Sequence, residues 1–154
     1  MQMNLRPASI DDAKTLFDWK NDPVTRSNSR NTGMTEWDGH VKWLQRTVNG
    51  EVPTRRLYVA ELDGVPVGTV RADQHEDGAW ELSYTVAPDY RGRGIGKAMV
   101  VQFAREVLPG VKMICEIYKG NISSERIAAA LGLSEIEVVA QPDVDHVQEL
   151  MQWS

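Results

Sequence analysis

The chain has 154 residues and a mass of 17.3 kDa, the size of one domain, and we interpret residues 1–154 as a single domain. Lys and Arg number 17 against 22 Asp and Glu, and the formal net charge of −5 argues against a nucleic-acid partner. No apolar run reaches the roughly 18 residues of a membrane span, and the N-terminus has no signal-peptide pattern. Because the single cysteine, Cys115, cannot form an internal disulfide, we expect a cytoplasmic protein with no membrane partner.

Apolar periodicity and turn residues predict the helices and strands of an α/β (α+β) domain. In the first half, Asp63-Gly64 is typical of a tight hairpin turn. The elements predicted in this half are a strand at 3–7, a helix from Ser9 to Lys20, a polar loop at 21–33, a helix at 35–48, and strands at 57–62 and 65–73.

The second half alternates strands with helices before it closes with two strands. The elements predicted here are a strand at 80–86, a helix at 95–107, a strand at 111–118, a helix at 122–131, and strands at 135–140 and 146–153. Propensity alone does not determine how these strands are ordered in a sheet.

A glycine-rich turn joins the strand at 80–86 to the helix at 95–107. Such a turn directs several backbone N–H groups one way, and the helix N-terminus adds partial positive charge. Three cationic side chains surround it. The turn therefore predicts a pyrophosphate site, formed by Arg91, Gly92, Arg93, Gly94, Ile95, Gly96 and Lys97.

Two common nucleotide-binding motifs do not fit this turn. A P-loop requires Ser or Thr where this chain has Ala98, and glycine where it has Arg91. A dinucleotide fingerprint requires G-x-G-x-x-G, whereas these glycines follow G-x-G-x-G. An acid, Glu116, does lie about 20 residues on, but the chain after it is too short for further βαβ units.

The turn, preceded by Val86-Ala87-Pro88, resembles the acetyl-CoA-binding motif of the GCN5-related N-acetyltransferase (GNAT) family. The segment from Asn121 through Ser124 and Arg126 to Leu131-Gly132-Leu133 resembles the next helix of that family. This resemblance implies a single-domain GNAT fold: a mixed, mostly antiparallel central sheet of six to seven strands, flanked by about four helices, with strands four and five splayed apart.

The resemblance also implies acetyl-CoA as cosubstrate and no metal. The pantetheine arm is expected to pair with backbone of Thr85 and Val86, and a backbone N–H near Tyr84 or Thr85 to polarise the thioester carbonyl. Asn121 and Ser124 match family positions that contact the arm of CoA.

Acetyl transfer requires a base for the amine proton, and it can also use an acid for the leaving thiolate. We favour Glu81 as base, with Glu116 and Tyr118 on the facing strand as alternatives; a solvated strand position explains each lone Glu equally well. Many relatives place a tyrosine acid seven residues after the motif asparagine, where this chain has Ala128.

The N-terminal third resembles enzymes that acetylate amino-sugar nucleotides, and also ribosomal-protein N-acetyltransferases. We expect a small-molecule amine as acceptor, with an amino-sugar nucleotide favoured; a protein N-terminal amine and a non-catalytic acyl-CoA-binding module remain alternatives. A homodimer through the terminal strands is also possible in this family. The candidate acceptor contacts are Trp19, Arg26, Arg30 and His40.

Each of these contacts has a structural alternative. Trp19 fits the core end of its helix, and His40 fits a position that caps a buried Trp43. The histidines match no metal spacing, and we expect His75 and His146 at the surface.

Overall fold

A seven-stranded sheet organises the computed structural model, which describes residues 3–154. The strand order is β1-β2-β3-β4-β5-β7-β6, and every neighbouring pair is antiparallel except β4 and β5, which are parallel. The strands are β1 (Asn4–Pro7), β2 (Arg55–Leu62), β3 (Val65–Gln74), β4 (Trp80–Val86), β5 (Met113–Tyr118), β6 (Glu135–Ala140) and β7 (Leu150–Trp153). The predicted mixed, mostly antiparallel sheet is confirmed.

Helices cover both faces of this sheet. They are α1 (Ala13–Asn21), α2 (Pro23–Ser27), α3 (Trp37–Val48), α4 (Ile95–Glu106) and α5 (Ile122–Ala130). The larger core, which includes Met99, Phe103 and Ile127, lies between the sheet and α4 and α5; we call this side the α4 face. A smaller cluster that includes Leu16 and Leu44 lies between α1, α3 and the other side, the α1 face.

Strand alternation determines which side chains reach the α1 face. Val70, Ala72, Leu82, Cys115 and Ile117 belong to the core on the α4 face. Successive side chains of a strand alternate between the two faces of the sheet. The neighbours of these residues along each strand therefore point to the α1 face. These are Arg71 and Asp73 on β3, Glu81, Ser83 and Thr85 on β4, and Glu116 and Tyr118 on β5.

The parallel strands β4 and β5 separate soon after they meet. Their pairing consists of Trp80 with Met113 and Glu81 with Ile114, and it goes no further. Beyond that point β3 pairs with β4 as far as Val86, and β7 pairs with β5 from Cys115 to Tyr118. The predicted splay of the fourth and fifth strands is confirmed, and each strand is held from its outer side.

The predicted polar loop at 21–33 contains a helix, α2, so the described chain has five helices rather than about four. The Asp22 carboxylate accepts hydrogen bonds from the N–H groups of Val24 and Thr25, each at 3.1 Å, and Pro23 occupies the first helical position. Asp followed by Pro is a helix-start signal as well as a turn signal. The prediction of a loop used the turn signal alone.

The last predicted strand, 146–153, is shortened to Leu150–Trp153. Asp143 accepts hydrogen bonds from the N–H groups of Asp145 and His146, which closes a turn and prevents extended pairing there. The predicted surface position of His146 is wrong: the residue is 6% exposed, and its ring stacks on Tyr118 with centroids 3.9 Å apart.

Other element ends differ from prediction by a few residues. The helix predicted from Ser9 starts as a 3-10 turn at Ile10–Asp12 before α1. The shifts of two residues are the later starts of α3 and β5 and the earlier start of β2, and other ends move by one residue.

Candidate functional site

The gap between β4 and β5 exposes an unpaired strand edge. From the carbonyl group of Leu82 to Val86, the backbone groups of β4 that point away from β3 have no partner on β5. Backbone N–H and C=O groups require hydrogen-bond partners. The gap is therefore suited to an extended ligand that carries amides of its own.

The glycine-rich turn lies where β4 leads into α4. Gly92 and Gly94 adopt φ of 75° and 74°, in the left-handed region that favours glycine. Helix α4 begins at Ile95, and no side chain caps it. The first N–H groups of a helix have no intrahelical acceptor, so this helix start can bind an anion.

The third glycine of the motif has a different reason to be small. A Cβ on Gly96 would lie 3.2 Å from Val86 Cγ2 and 3.3 Å from Ile127 Cδ1. Because position 96 is glycine, α4 can pack closely against β4 and α5. The start of α4 therefore lies near the gap between β4 and β5.

The three cations of the motif have different environments. Arg91 Nη2 donates to Asp22 Oδ2 at 2.6 Å and to Thr25 Oγ1 at 3.1 Å. The hydrogen bond from Arg91 to Asp22 lowers the pKa of the Asp22 carboxyl group. Arg91 thus ties the turn to α2. Arg93 lies over the ring of Tyr90 at 5.1 Å, and it is exposed, as is Lys97. These two are the motif cations with free approach to a ligand.

On the α4 face, Tyr84 of β4 meets the start of α5. Its hydroxyl lies 2.6 Å from Ser124 Oγ, and burial raises the pKa of the phenol. Asn121 caps α5 by accepting from the N–H of Ser124. Ala128, one turn further along α5, is 1% exposed. The structure thus brings together three predicted site residues and places a phenol near the helix that lacks the expected tyrosine.

On the α1 face, Glu81 and Glu116 flank the point where the strands separate. His75 Nε2 lies 2.8 Å from Glu81 Oε1, and Arg30 Nη1 lies 2.9 Å from Glu116 Oε1. Burial and the charge of Glu81 raise the pKa of Glu116, and Arg30 opposes this only in part. The contact between His75 and Glu81 was not predicted from the sequence, although the two residues flank one hairpin turn.

Tyr118, an alternative catalytic candidate, lies against the loop before β7. His146 stacks on its ring. Burial, followed by the charge of Asp143, raises the pKa of Tyr118. Its ring is covered on one side by this loop.

The four predicted acceptor contacts do not lie together. Trp19 is 8% exposed and packs in the smaller core. His40 is 2% exposed, with Nε2 2.8 Å from the carbonyl oxygen of Ala13, and burial lowers its pKa. Arg26 Nη1 lies 3.5 Å from the carbonyl oxygen of Thr32. Of the four, Arg30 is the one paired with a carboxylate at the strand gap.

Helix α3 is oriented differently from the expectation for His40 and Trp43. His40 is in the core, whereas Trp43 is half-buried, with Lys20 Nζ 3.7 Å from its ring centroid. The guanidinium carbons of Arg55 and Arg71 lie 4.9 and 5.8 Å from the same ring.

A group that the sequence analysis missed surrounds Trp43. Both Arg55 Nε and Arg71 Nε lie within 2.9 Å of Asp73 carboxylate oxygens. Burial, followed by the charges of Arg71 and Arg55, lowers the pKa of Lys20 to about 8. We call this group, Lys20, Arg55, Arg71, Trp43 and Asp73, the cation cluster. Its members come from α1, α3, β2 and β3, so no local sequence pattern reveals it.

Residues 3–154 contain neither a cluster of metal-ligating side chains nor a membrane-spanning helix. Within that range, no group of three or more His, Cys, Asp or Glu side chains is arranged to hold a metal ion. None of its helices has the length and apolar character to cross a membrane.

Known proteins share this sequence pattern and this fold. The family model described as acetyltransferase (GNAT) domain matches residues 2–134. Ribosomal-protein-alanine N-acetyltransferase from Brucella melitensis superposes with a TM-score of 0.79 at 23% identity, covering 97% of each chain. Spermidine N-acetyltransferase from Vibrio cholerae, in complex with CoA and spermine, gives 0.83 at 15% identity, covering 99% of this chain and 94% of that one.

A Salmonella typhimurium protein with its cofactor acetyl-CoA gives a TM-score of 0.79 at 20% identity, covering 99% of this chain and 92% of that one. At these identities the superpositions show a common fold alone. No curated protein sequence matches the chain.

The low pKa of Lys20 makes a testable prediction about stability. Between pH 8 and about 10.5 the folded protein has released a proton that the unfolded chain still binds, so the stability contributed at this site rises with pH. We expect Lys20→Met to increase the free energy of unfolding most at pH 7, with a gain that shrinks as pH rises through 8. Urea denaturation at pH 7.0 and 9.5 measures the two gains.

The matched control is Lys14→Met, because Lys14 is exposed on the same helix and pairs with Asp18. A Lys20→Met gain that is equal at both pH values contradicts the shifted pKa.

Proposed function

The chain belongs to the GNAT acetyltransferase family, and from this premise we propose that it transfers an acetyl group to the primary amine of a small molecule bound on the α1 face. Members of this family are N-acetyltransferases that use acetyl-CoA. One observation carries the proposal: pairing between β4 and β5 ends after two residue pairs, next to an uncapped helix start.

The residues at the gap fit acetyl-CoA. The unpaired backbone groups of β4, those of Tyr84 and Val86, would bind the amides of the pantetheine arm. The backbone of Thr85 does not face the gap, because it pairs with Thr69 on β3. The N–H groups from Gly92 to Gly96, with Arg93 and Lys97, would hold the pyrophosphate. Bound there, acetyl-CoA supplies an activated thioester. Arg91 would act indirectly, because its guanidinium holds Asp22 and positions the turn.

We assign the base to Glu81. It lies on the α1 face at the last β4 residue that pairs with β5, and its carboxylate reaches His75, whose side chain is 42% exposed. A proton taken from the amine can therefore pass from Glu81 toward solvent. Glu116, held by Arg30, would bind the incoming ammonium group before it loses that proton.

We assign the acid to Tyr84. The family position for this role is Ala128, but the Tyr84 hydroxyl contacts Ser124 one turn earlier on the same helix. The raised pKa keeps the phenol protonated, as a proton donor to a departing thiolate requires. Tyr118 is the weaker candidate, because its ring stacks on His146.

The acceptor amine is proposed as a small molecule, and an amino-sugar nucleotide remains our favoured example. A protein N-terminus is the second candidate, since the Brucella neighbour is a ribosomal-protein-alanine N-acetyltransferase. The small molecule is favoured because Arg30 reaches across the α1 face to Glu116 and narrows the approach to the gap.

The first experiment incubates the protein with acetyl-CoA and a pool of amino-sugar nucleotides, peptides, polyamines and aminoglycosides. We expect release of free CoA together with an amine that has gained one acetyl mass. Binding of acetyl-CoA with no CoA release from any pool would instead support a non-catalytic acyl-CoA-binding module.

The base assignment predicts a difference between two carboxylate variants. We expect Glu81→Gln to lower kcat by about 10²- to 10⁴-fold, because the amine proton loses its acceptor, while the Kd for acetyl-CoA stays the same. Glu116→Gln is expected to raise the acceptor KM with a smaller effect on kcat. Steady-state kinetics and calorimetric binding measure these quantities. Unchanged turnover in Glu81→Gln would exclude Glu81 as the base. A large loss of kcat in Glu116→Gln, with only a raised acceptor KM in Glu81→Gln, would assign the base to Glu116.

The acid assignment predicts a change in the pH profile. We expect Tyr84→Phe to lower kcat on the order of 10²-fold and to abolish the decline of wild-type kcat at high pH, since no phenol remains to ionise. The matched variant is Tyr118→Phe, which should keep that decline. A decline retained in Tyr84→Phe but lost in Tyr118→Phe would transfer the role to Tyr118.

A further inference from the structure

The cation cluster has more positive charge than its own acid can neutralise. Lys20, Arg55 and Arg71 lie around one ring, and Asp73 is the carboxylate that pairs with the two arginines. Within residues 3–154, no carboxylate lies within salt-bridge distance of Lys20 Nζ. Three cations therefore share one anion in a half-buried site.

The hydrogen bonds of the cluster are also incomplete. Arg71 Nε lies 2.8 Å from Asp73 Oδ2, but the two groups are too poorly aligned to form a hydrogen bond. Because that nitrogen has no contact with solvent, its N–H lacks a partner. Buried donors without partners are costly. An anion placed over the exposed part of the cluster would add the missing negative charge.

The cluster lies next to the proposed reaction centre. On the α1 face, Arg71 is directly opposite Ser83, and Asp73 is directly opposite Glu81. Neighbouring strands are about 4.8 Å apart. The side chains of β3 in the cluster are therefore one strand away from the proposed base and two strands away from Glu116 on β5.

We propose that the cation cluster is an acceptor subsite that binds a carboxylate or phosphate carried by the amine, roughly 5 to 10 Å from its nitrogen. This proposal rests on the acetyltransferase function proposed above, and it defines the acceptor class. Polyamines have only positive charges and would be repelled by the cluster. Amines with a phosphate, and peptides with an acidic residue next to the N-terminus, have the required charge.

Packing on Trp43 does not by itself account for the cluster. A ring face attracts a cation, but burial and then the nearby charges of Arg71 and Arg55 disfavour the charged form of Lys20 and lower its pKa. A site that served stability alone would be more stable with a neutral side chain at position 20. An anionic ligand gives the three charges a common partner.

The first test compares matched amines that differ in one anion. The pairs are 2-aminoethyl phosphate with ethanolamine, glucosamine 6-phosphate with glucosamine, and Ser-Asp with Ser-Asn dipeptides; spermidine serves as the cationic control. We expect kcat/KM to be about 10- to 100-fold higher for the anionic member of at least one pair. The pairs also distinguish a phosphate from a carboxylate as the preferred group.

Two arginine variants test whether the cluster causes that preference. Arg71→Gln should reduce it to about one-tenth or less, mainly through the acceptor KM, and should leave the Kd for acetyl-CoA unchanged. Arg46→Gln removes an exposed cation from α3 and should keep the preference. Equal kcat/KM within every pair, or a preference that survives in Arg71→Gln, overturns the proposal.

A second measurement needs no acetyl transfer. The Cε chemical shift of Lys20, assigned by its loss in Lys20→Met, is followed by NMR against pH with and without inorganic phosphate. We expect phosphate to raise the pKa of Lys20 from about 8, and to raise it less in Arg71→Gln. No effect of phosphate overturns an anion subsite, even if amines are acetylated; a raised pKa without acetylation of any amine supports the subsite and contradicts the proposed function.

Discussion

The separation of β4 and β5 is the constraint on which the rest of the site depends. Two parallel strands that pair for only two residues would ordinarily close together to satisfy their backbone groups. Here β3 holds β4 along its length and β7 holds β5, so the inner edges stay apart. The opening widens toward the start of α4, where the backbone has no cap. A strand edge and a helix start thus form one continuous polar surface.

On the α1 face, negative and positive side chains lie on different strands. The carboxylates of Glu81 and Glu116 flank the opening, and the arginines of the cation cluster lie on β2 and β3. Two longer contacts connect the N-terminal segment to the rest of the chain, one from Arg91 to Asp22 and one from Arg30 to Glu116. The N-terminal segment is thereby joined both to the glycine-rich turn and to Glu116 beside the gap.

The neighbouring structures show how widely one fold is used. Their names specify a ribosomal protein alanine in one case and spermidine in another, at TM-scores of 0.79 and 0.83 to this chain. The fold therefore does not select an acceptor. In our proposal, side chains on the α1 face make that selection. In this chain that face has a cation cluster beside its carboxylates. Helix α5 has Ala128 where many relatives have a tyrosine, and the Tyr84 hydroxyl from β4 contacts Ser124 on the same helix.

Features that depend on consecutive residues are predictable from the sequence alone. Glycines at 92, 94 and 96, a following helix and the Asn121 cap are local, so their spacing predicted the anion-binding turn and, by resemblance, the family and the splayed sheet. Which groups meet across the sheet depends instead on how the elements pack together. Arg91 meets a residue 69 positions away and Arg30 one 86 positions away. Likewise, the face of α3 that is buried depends on its neighbours, which is why His40 and not Trp43 lies in the core. Such contacts follow from strand register and the joint packing of several elements, and no stretch of sequence contains that information alone.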